Sequence, residues 1–440
     1  MLAISCVEIS AQDIVNDGLQ RYRRNAIATM MVLHPEDEFG KDIKDAYLEI
    51  PTPDKYDNHD IGVKVLDNSW FTGVQRNKDG LYKAVYGKNL SKSEIEKNGL
   101  ALERFFNQNN VGMLMVAKWF NLKSDGSGEF DYSTARFSTN LIQERGMYDA
   151  TALDVEMARH TIRGVDMLAD AGEELISQTF IIVNDMTYVT AEQKAEAAKA
   201  ALSVLGSITD AFLGGHSGRD MANMAGAIAD SFTGFKVRNH SYLFQLQWND
   251  SIAALFYKYY YTETPDEEKI RAFERNDSLF KVKYVAYEYE YDENSVLKGQ
   301  YDRHDLIKIN CTRSQDKNIA QLQVKYEDFK LKTPIYKVVR NDQGKVLYYA
   351  AKVGMKEGIT PKSKFQVVQR IIDPKTNKSR YKYVATLKPI KGKIWDNRYM
   401  ATEEREKGSE LDATQFKKSG GGEIYEGMLI IEGKYRKVEQ

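Results

Sequence analysis

Ala171-Gly-Glu-Glu-Leu-Ile-Ser-Gln-Thr-Phe-Ile-Ile-Val183 passes from the end of a helical pattern into an apolar pentad. Upstream, Val155, Ala158, Ile162, Val165, Leu168, Ala169 and Leu175 recur at helical spacing, so the periodicity predicts a helix over 152–176. The pentad Thr179–Val183 is rich in β-branched residues and reads as a strand covered on both faces. The same pairing occurs earlier. Ser91 with Glu94 three residues on is a capping-box start for a helix burying Ile95, Leu100, Leu102, Phe105 and Phe106. The apolar run Val111-Gly-Met-Leu-Met-Val-Ala-Lys-Trp-Phe120 follows and is read as a second buried strand. Two helix-then-strand units predict a sheet with helices packed on it, an α+β or α/β architecture.

On either side the pattern extends. Residues 13–31 place Ile14, Leu19, Tyr22, Ala26 and Met30 at helical spacing, and residues 35–90 read as irregular with short strands such as Gly62–Leu66. Thr190 caps an alanine-rich segment whose two halves, broken at Gly214-Gly-His-Ser-Gly218, predict a helical hairpin over 191–232. From 240 strands dominate: Tyr242–Trp248, the alternating Lys281–Tyr291, Leu306–Asn310 and Leu322–Tyr326. The alternation of Tyr with Glu or Lys places one face against a core and the other in water. A helix ending before Pro265 and a short second one fill 250–275. Beyond 333, strands separated by turns such as Asn341-Asp-Gln-Gly344 predict a small barrel or sandwich.

Four hundred and forty residues with 42% apolar side chains exclude a single small module and a disordered chain. Net charge is −1, yet residues 281–440 carry 33 basic against 22 acidic side chains, so the first 280 are acidic. Within 331–400 the excess is 17 basic to 4 acidic. Such a face attracts nucleic acid, anionic glycan, lipid headgroups, or the acidic half of the same chain. Lys362, Lys364, Arg370, Lys375, Lys378, Arg380 and Lys382, with Tyr381 and Tyr383, are the candidate anion-binding surface on one hairpin. Nucleic acid is the less favoured partner, and no apolar run is long enough for a membrane-spanning helix.

No catalytic signature stands out, and no cofactor or metal ligand set is assigned. The two cysteines, Cys6 and Cys311, make no disulfide framework. Gly214–Gly218 lacks a Walker lysine and the strand context of a hydrolase elbow. Asp54-Lys-Tyr-Asp57-Asn-His59-Asp60 offers hard-metal ligands without the glycine pivot of an EF-hand, and reads as a surface turn. The pairs Glu173-Glu174 and Glu288 with Glu290 read as helix surface and solvent face. An enzyme reading rests on His59 with Asp57 or Asp60, and His216 with Asp220, all in turns where exposure is the rule.

The start, Met1 to Asp13, is apolar and ends in small residues, like the tail of a secretory signal peptide; residues 1–12 are read as its remnant. A second version makes Cys6 a lipidated residue. Lys352-Val-Gly-Met-Lys-Glu-Gly358, Lys364–Val368, Ala385–Lys388 and Gly427–Ile430 together resemble the SH3-like C-terminal domain of the flagellar T-ring protein family. The basic hairpin over 364–400 and the acidic insert 403–412 depart from that pattern. Val116–Phe120, Ala171–Leu175 and Phe180–Val183 are similar in style to the α/β domains of curli-secretion lipoproteins. The whole chain resembles uncharacterised exported proteins of Gram-negative bacteria, which implies export and no particular activity. These resemblances imply an α/β domain over 13–330 and an SH3-like β domain over 331–440. The expected function is that of a non-enzymatic exported cell-envelope protein, periplasmic or associated with the outer membrane. It would act through contacts with other envelope proteins or itself. One alternative is an anion- or glycan-binding module that uses the basic β domain; another is a hydrolase with an unrecognised site.

Overall fold

The computed structural model describes residues 22–35, 39–67, 90–122, 131–151, 153–154, 171–190, 232–297, 302–372, 378–400, 411–436 and 438–439. The expected signal remnant with Cys6, the hairpin over 191–232 with His216 and Asp220, and Lys375 lie outside the described residues, hairpin residue 232 apart.

A mixed sheet forms the first half. Its strands are β1 (Ala26–Leu33), β2 (Asp57–Asn58), β3 (Val65–Asp67), β4 (Thr179–Thr190), β5 (Phe232–Leu246) and β6 (Val282–Leu297). Their order is β2–β1–β4–β5–β6, with β3 also on β1. β1 runs parallel to β2, β3 and β4, whereas β4, β5 and β6 are antiparallel neighbours. The segment expected to be helical at 26–31 is therefore an interior strand, flanked by β2 and β3 on one side and β4 on the other. Tyr22, Ala26 and Met30 are spaced by four, an even step that shares one face of a strand as well as of a helix. Ala26, Ala28, Met30 and Val32 all enter the same core. Ile27 and Met31 go to cores on the opposite face.

Helices α1 (Gly40–Leu48), α2 (Lys92–Gln108), α3 (Val111–Trp119), α4 (Asn140–Asp149), α5 (Asp250–Tyr259), α6 (Glu267–Glu274) and α7 (Arg303–Lys325) complete this half. The capping box at Ser91 and Glu94 is present, with the hydroxyl accepting from the Glu94 amide and the carboxylate accepting from the Ser91 amide. The run Val111–Phe120 is helix rather than strand. It is buried on nearly all sides, so no periodicity marks it, and its Met, Leu and Ala content favours the helix. Gly112 lets α3 lie directly on the chain at Phe280: a Cβ would come within 2.5 Å of the Phe280 carbonyl oxygen. Helices α2, α3, α5 and α6 cover one face, where Phe120, Phe137, Phe256, Phe273 and Phe280 pack in tilted and edge-to-face contacts. Of the expected helix over 152–176, residues 153–154 are helical, 155–170 lie outside the described residues, and Ala171–Gln178 is a 3-10 turn.

The largest correction is α7. Leu306–Asn310 and Leu322–Tyr326, read as separate strands, are the two ends of one 23-residue helix. It is buried almost all round, and many buried positions are polar, including Asn310, Ser314, Gln315, Asn318 and Gln323. Those groups meet polar residues of the sheet. Asn318 donates to the Asn239 carbonyl (2.9 Å) and to Ser241 Oγ (2.7 Å); Asn184 donates to Gln315 Oε1 (3.0 Å). The charged face of β6 lies under this helix rather than in water: Glu288 is buried beside Lys325, and Lys317 Nζ is 2.6 Å from Asp292.

The second sheet contains β7 (Lys332–Arg340), β8 (Val346–Ala351), β9 (Phe365–Ile372), β10 (Ser379–Pro389), β11 (Thr414–Gly421), β12 (Leu429–Glu432) and β13 (Val438–Glu439). Six strands pair antiparallel in the order β11–β8–β7–β12–β9–β10, and β10 bonds in turn to β11, so the ladder returns to its start. Register shifts at Ile335/Lys337, Val339/Arg340, Tyr383/Ala385 and Thr386/Leu387 keep it from being a regular barrel. Its inside is apolar, centred on Phe365, Val367, Leu387, Phe416 and Ile430.

α7 joins the halves. Its Arg313 donates to the Tyr399 carbonyl at 3.0 and 2.7 Å, and its Asp316 faces Lys356 at 3.7 Å. Two further buried ion pairs cross the same boundary: Arg24 with Glu357 (3.5 Å) and Arg370 with Asp154 (3.9 Å). Among the described residues no helix is long and apolar enough to cross a membrane.

Candidate functional site

Among its described residues the basic hairpin does not present its charges as one patch. Arg370 is buried, donates to Ser379 Oγ (3.0 Å) and pairs with Asp154. Lys378 reaches the first half, 2.7 Å from Asp250. Lys362 and Lys364 precede β9 at the end where Phe365 pairs with Leu387, whereas Arg380 and Lys382 pair with Ile371 and Gln369 near the turn. Six strand residues separate those levels, roughly 20 Å. Arg370 and Lys378 thus spend their charge on the acidic half of the chain.

The histidine of the enzyme reading is also placed differently. His59 is fully buried, not exposed: Nε2 lies 3.0 Å from the Met115 carbonyl and Nδ1 2.9 Å from Arg145 Nη1. Burial holds its pKa well below the ordinary value, and Arg145 adds to the effect. The ring is therefore neutral, donating from Nε2 and accepting at Nδ1. Arg145 lies over the Trp119 ring, 4.3 Å from its centroid, and donates to the Asn58 carbonyl. Both nitrogens of His59 are used to pin this loop to α3 and α4. Asp57 is pushed up to about 6, chiefly by burial.

Two other histidines stand in a buried array the spacing gave no reason to assemble. His34 Nε2 lies 2.7 Å from Asp185, and His240 Nδ1 lies 2.6 Å from the Tyr287 hydroxyl. Asp185 and His240 are register partners on β4 and β5. Among the described residues, no group of three His, Cys, Asp or Glu side chains is placed to hold a metal ion.

A cleft of about 570 Å³ lies between the halves. The 3-10 turn supplies Glu173 and Glu174, the segment entering α5 supplies Trp248 and Asp250, and α5 itself supplies Tyr257. The second sheet contributes Lys378, Ser379, Tyr381 and Tyr435. Asn249 starts α5 by accepting from the amides of Ser251 and Ile252, which fixes Trp248 and Asp250 on either side of the cap. Glu174 is fixed from across the boundary, both oxygens accepting from the Ser379 amide at 2.9 and 3.0 Å. Tyr381 and Tyr435 meet edge to face at 5.7 Å, with Lys332 Nζ 5.6 Å from each ring. Burial holds the Glu173 carboxyl above its ordinary range, the Tyr257 hydroxyl opposes this by hydrogen bonding, and Asp250 adds to the rise.

Glu173 and Glu174 are thus cleft residues rather than helix surface. The reading missed them because a 3-10 turn changes which side chains share a face. Chemically, the cleft offers the partly exposed ring of Tyr257 beside the largely buried rings of Trp248, Tyr381 and Tyr435, and carboxyl groups that accept or donate hydrogen bonds. Its charges are largely balanced within the protein, Asp250 by Lys378 and Glu174 by a backbone amide. Comparisons with protein-family models, with curated proteins and with solved structures returned no match.

Proposed function

We propose that this chain is a non-enzymatic, exported cell-envelope protein that binds a glycan in the cleft between its two halves. One observation carries the reading: rings from both halves, Trp248 and Tyr257 on one side and Tyr381 and Tyr435 on the other, share a ligand-sized cleft with carboxyl groups. Sugar rings present C–H faces to aromatic rings and hydroxyls to carboxylates, and a neutral polyhydroxylated ligand does not have to displace the Lys378–Asp250 pair. The envelope setting rests on the signal-like start and on the resemblance to exported proteins.

The test is calorimetric titration of the intact chain with a panel of neutral and acidic oligosaccharides, repeated on Tyr257→Ala. Tyr257 is 36% exposed, so its removal leaves the core in place. Loss of one stacking ring is worth ~1 kcal/mol or more, about a fivefold to tenfold weaker Kd. No binding across the panel, or unchanged binding by Tyr257→Ala, rejects the reading. Binding of acidic sugars alone, lost on Lys382→Gln but not on Tyr257→Ala, would move the site to the basic hairpin.

A further inference from the structure

The basic excess of the second half is only partly used at the boundary, and some of the remainder gathers at one end of β10. Lys388 on β10 and Lys417 on β11 are partners in the antiparallel ladder. Their strand neighbours Leu387, Pro389 and Phe416 are buried, so both lysines stand on the outer face, with Cβ atoms about 5 Å apart. On the other side of β10, Leu387 pairs with Phe365, and the exposed Lys364 one residue before it flanks Lys388. The three lysines thus form a row across three strands, about 10 Å long. A turn adds two more. The Ile390 amide donates to the Gln415 carbonyl and the Gln415 amide to the Lys393 carbonyl, both at 2.9 Å, which brings the turn at 390–393 to a residue two from Lys417 on the same strand. Lys391 and Lys393 are exposed on either side of Gly392, whose φ of +75° makes the turn.

Nothing in the fold neutralises this row. Strands β8, β10 and β11 and the turn at 390–394 contain no Asp or Glu. The one carboxylate of β12, Glu432, is hydrogen-bonded to Ser363 and has Lys330 beside it. Among the described residues, none of the five lysine side chains has a hydrogen bond or an ion pair. Like charges directly opposed across a ladder weaken it, so the Lys388–Lys417 pair costs the sheet stability. Lysines on an outermost strand can be explained as protection against pairing with other chains. That reason does not apply to β10, which has β9 on one side and β11 on the other. A concentrated positive field without an internal counter-charge draws a polyanion.

We propose that this face binds an acidic polysaccharide, with sugar carboxylates along the row Lys364, Lys388 and Lys417 and at the turn lysines 391 and 393. The side chains next along the three strands, Gln366, Thr386 and Gln415, are polar and partly exposed, and suit sugar hydroxyls. A bilayer surface calls instead for apolar side chains to insert, and single-stranded nucleic acid for rings to stack on. The face is separate from the cleft between the halves, and the proposal does not rest on that cleft's ligand.

Polygalacturonate is the probe, titrated into the intact chain. Raising NaCl from about 50 to about 200 mM should weaken binding about tenfold or more. The double variant Lys388→Gln, Lys417→Gln should weaken it by about the same factor at low salt, at roughly fivefold for each ammonium removed. Lys417→Glu separates a lost contact from a lost fold: it turns a like-charge pair into an opposite-charge one, so Tm should hold or rise while binding falls about tenfold or more. Lys92→Glu makes the same charge change at an exposed position on α2 and should leave the affinity unchanged, as should Tyr257→Ala in the other cleft. No binding at low salt, or an equal loss in Lys92→Glu or Tyr257→Ala, overturns the proposal. So does tighter binding to phosphatidylglycerol vesicles or to oligo-deoxythymidine than to polygalacturonate.

Discussion

At the residue scale the boundary between the halves is built from ionisable groups taken out of water, and their titration is its signature. Asp316 is pushed up to about 7 by burial, with Lys356 opposing. A carboxyl whose folded pKa lies above its ordinary value near 3.8 binds more protons folded than unfolded, so this group's contribution falls as pH rises between about 4 and about 7. Asp316→Asn, uncharged at every pH, should therefore gain stability over the wild type progressively across that window and level off above it. Denaturant midpoints of the two proteins at pH 4, 5.5, 7 and 8 measure this; a constant difference would contradict it. His59 and His240 act oppositely, since burial lowers both, so only the difference between the two proteins isolates Asp316. Arg370→Met makes a companion test. Removing it leaves Asp154 buried and should cost about 3 kcal/mol at pH 8, and less at pH 5, where the raised carboxyl pKa lets the acid protonate. Guanidinium unfolding at both pH values reads it.

At the element scale, what was legible in the sequence followed the clarity of its pattern. The α2 capping box, the strands at Tyr242 and Lys281, the helices around Pro265 and the turn at Asn341–Gly344 stand where local chemistry puts them. Elements buried on every side were misread, because burial without a wet face erases periodicity. The run at Val111–Phe120 has no polar stripe to reveal a helix. α7 fails for the opposite reason: its buried positions are polar, Asn310, Gln315 and Asn318 among them, so hydropathy hides a core helix. The array explains the choice of residues, since Asn318, Ser241, Asn239, Asn184 and Gln315 hydrogen-bond to one another. Asn318→Leu should then cost at least 2 kcal/mol despite its higher hydrophobicity, because the Asn239 carbonyl and Ser241 hydroxyl lose a donor. A stabilised variant in urea unfolding would show that the network is dispensable. In the aromatic core, Phe256→Ala removes a ring touching Phe120, Phe137, Phe273 and Phe280, and about 3–5 kcal/mol of stability with it.

At the scale of the whole molecule the acidic first half and the basic second half are complementary rather than independent. The charge asymmetry read from composition is spent in part across their boundary, where Arg370 meets Asp154, Lys378 meets Asp250 and Lys356 meets Asp54 and Asp316. The cleft between the halves was illegible in the sequence for the same reason. Its residues come from positions 173, 248–257, 378–381 and 435, and no local pattern links segments so far apart. A fastened boundary predicts a cleft formed before ligand arrives, so binding should rigidify both walls together. Hydrogen–deuterium exchange of the intact chain, with and without the tightest-binding oligosaccharide of the panel, tests this most directly. The account predicts slowed exchange on both sides at once, in 173–178 and 249–257 and in 378–381 and 435–436. Protection confined to one half, or lying wholly outside these segments, would contradict recognition in a cleft that the two halves share.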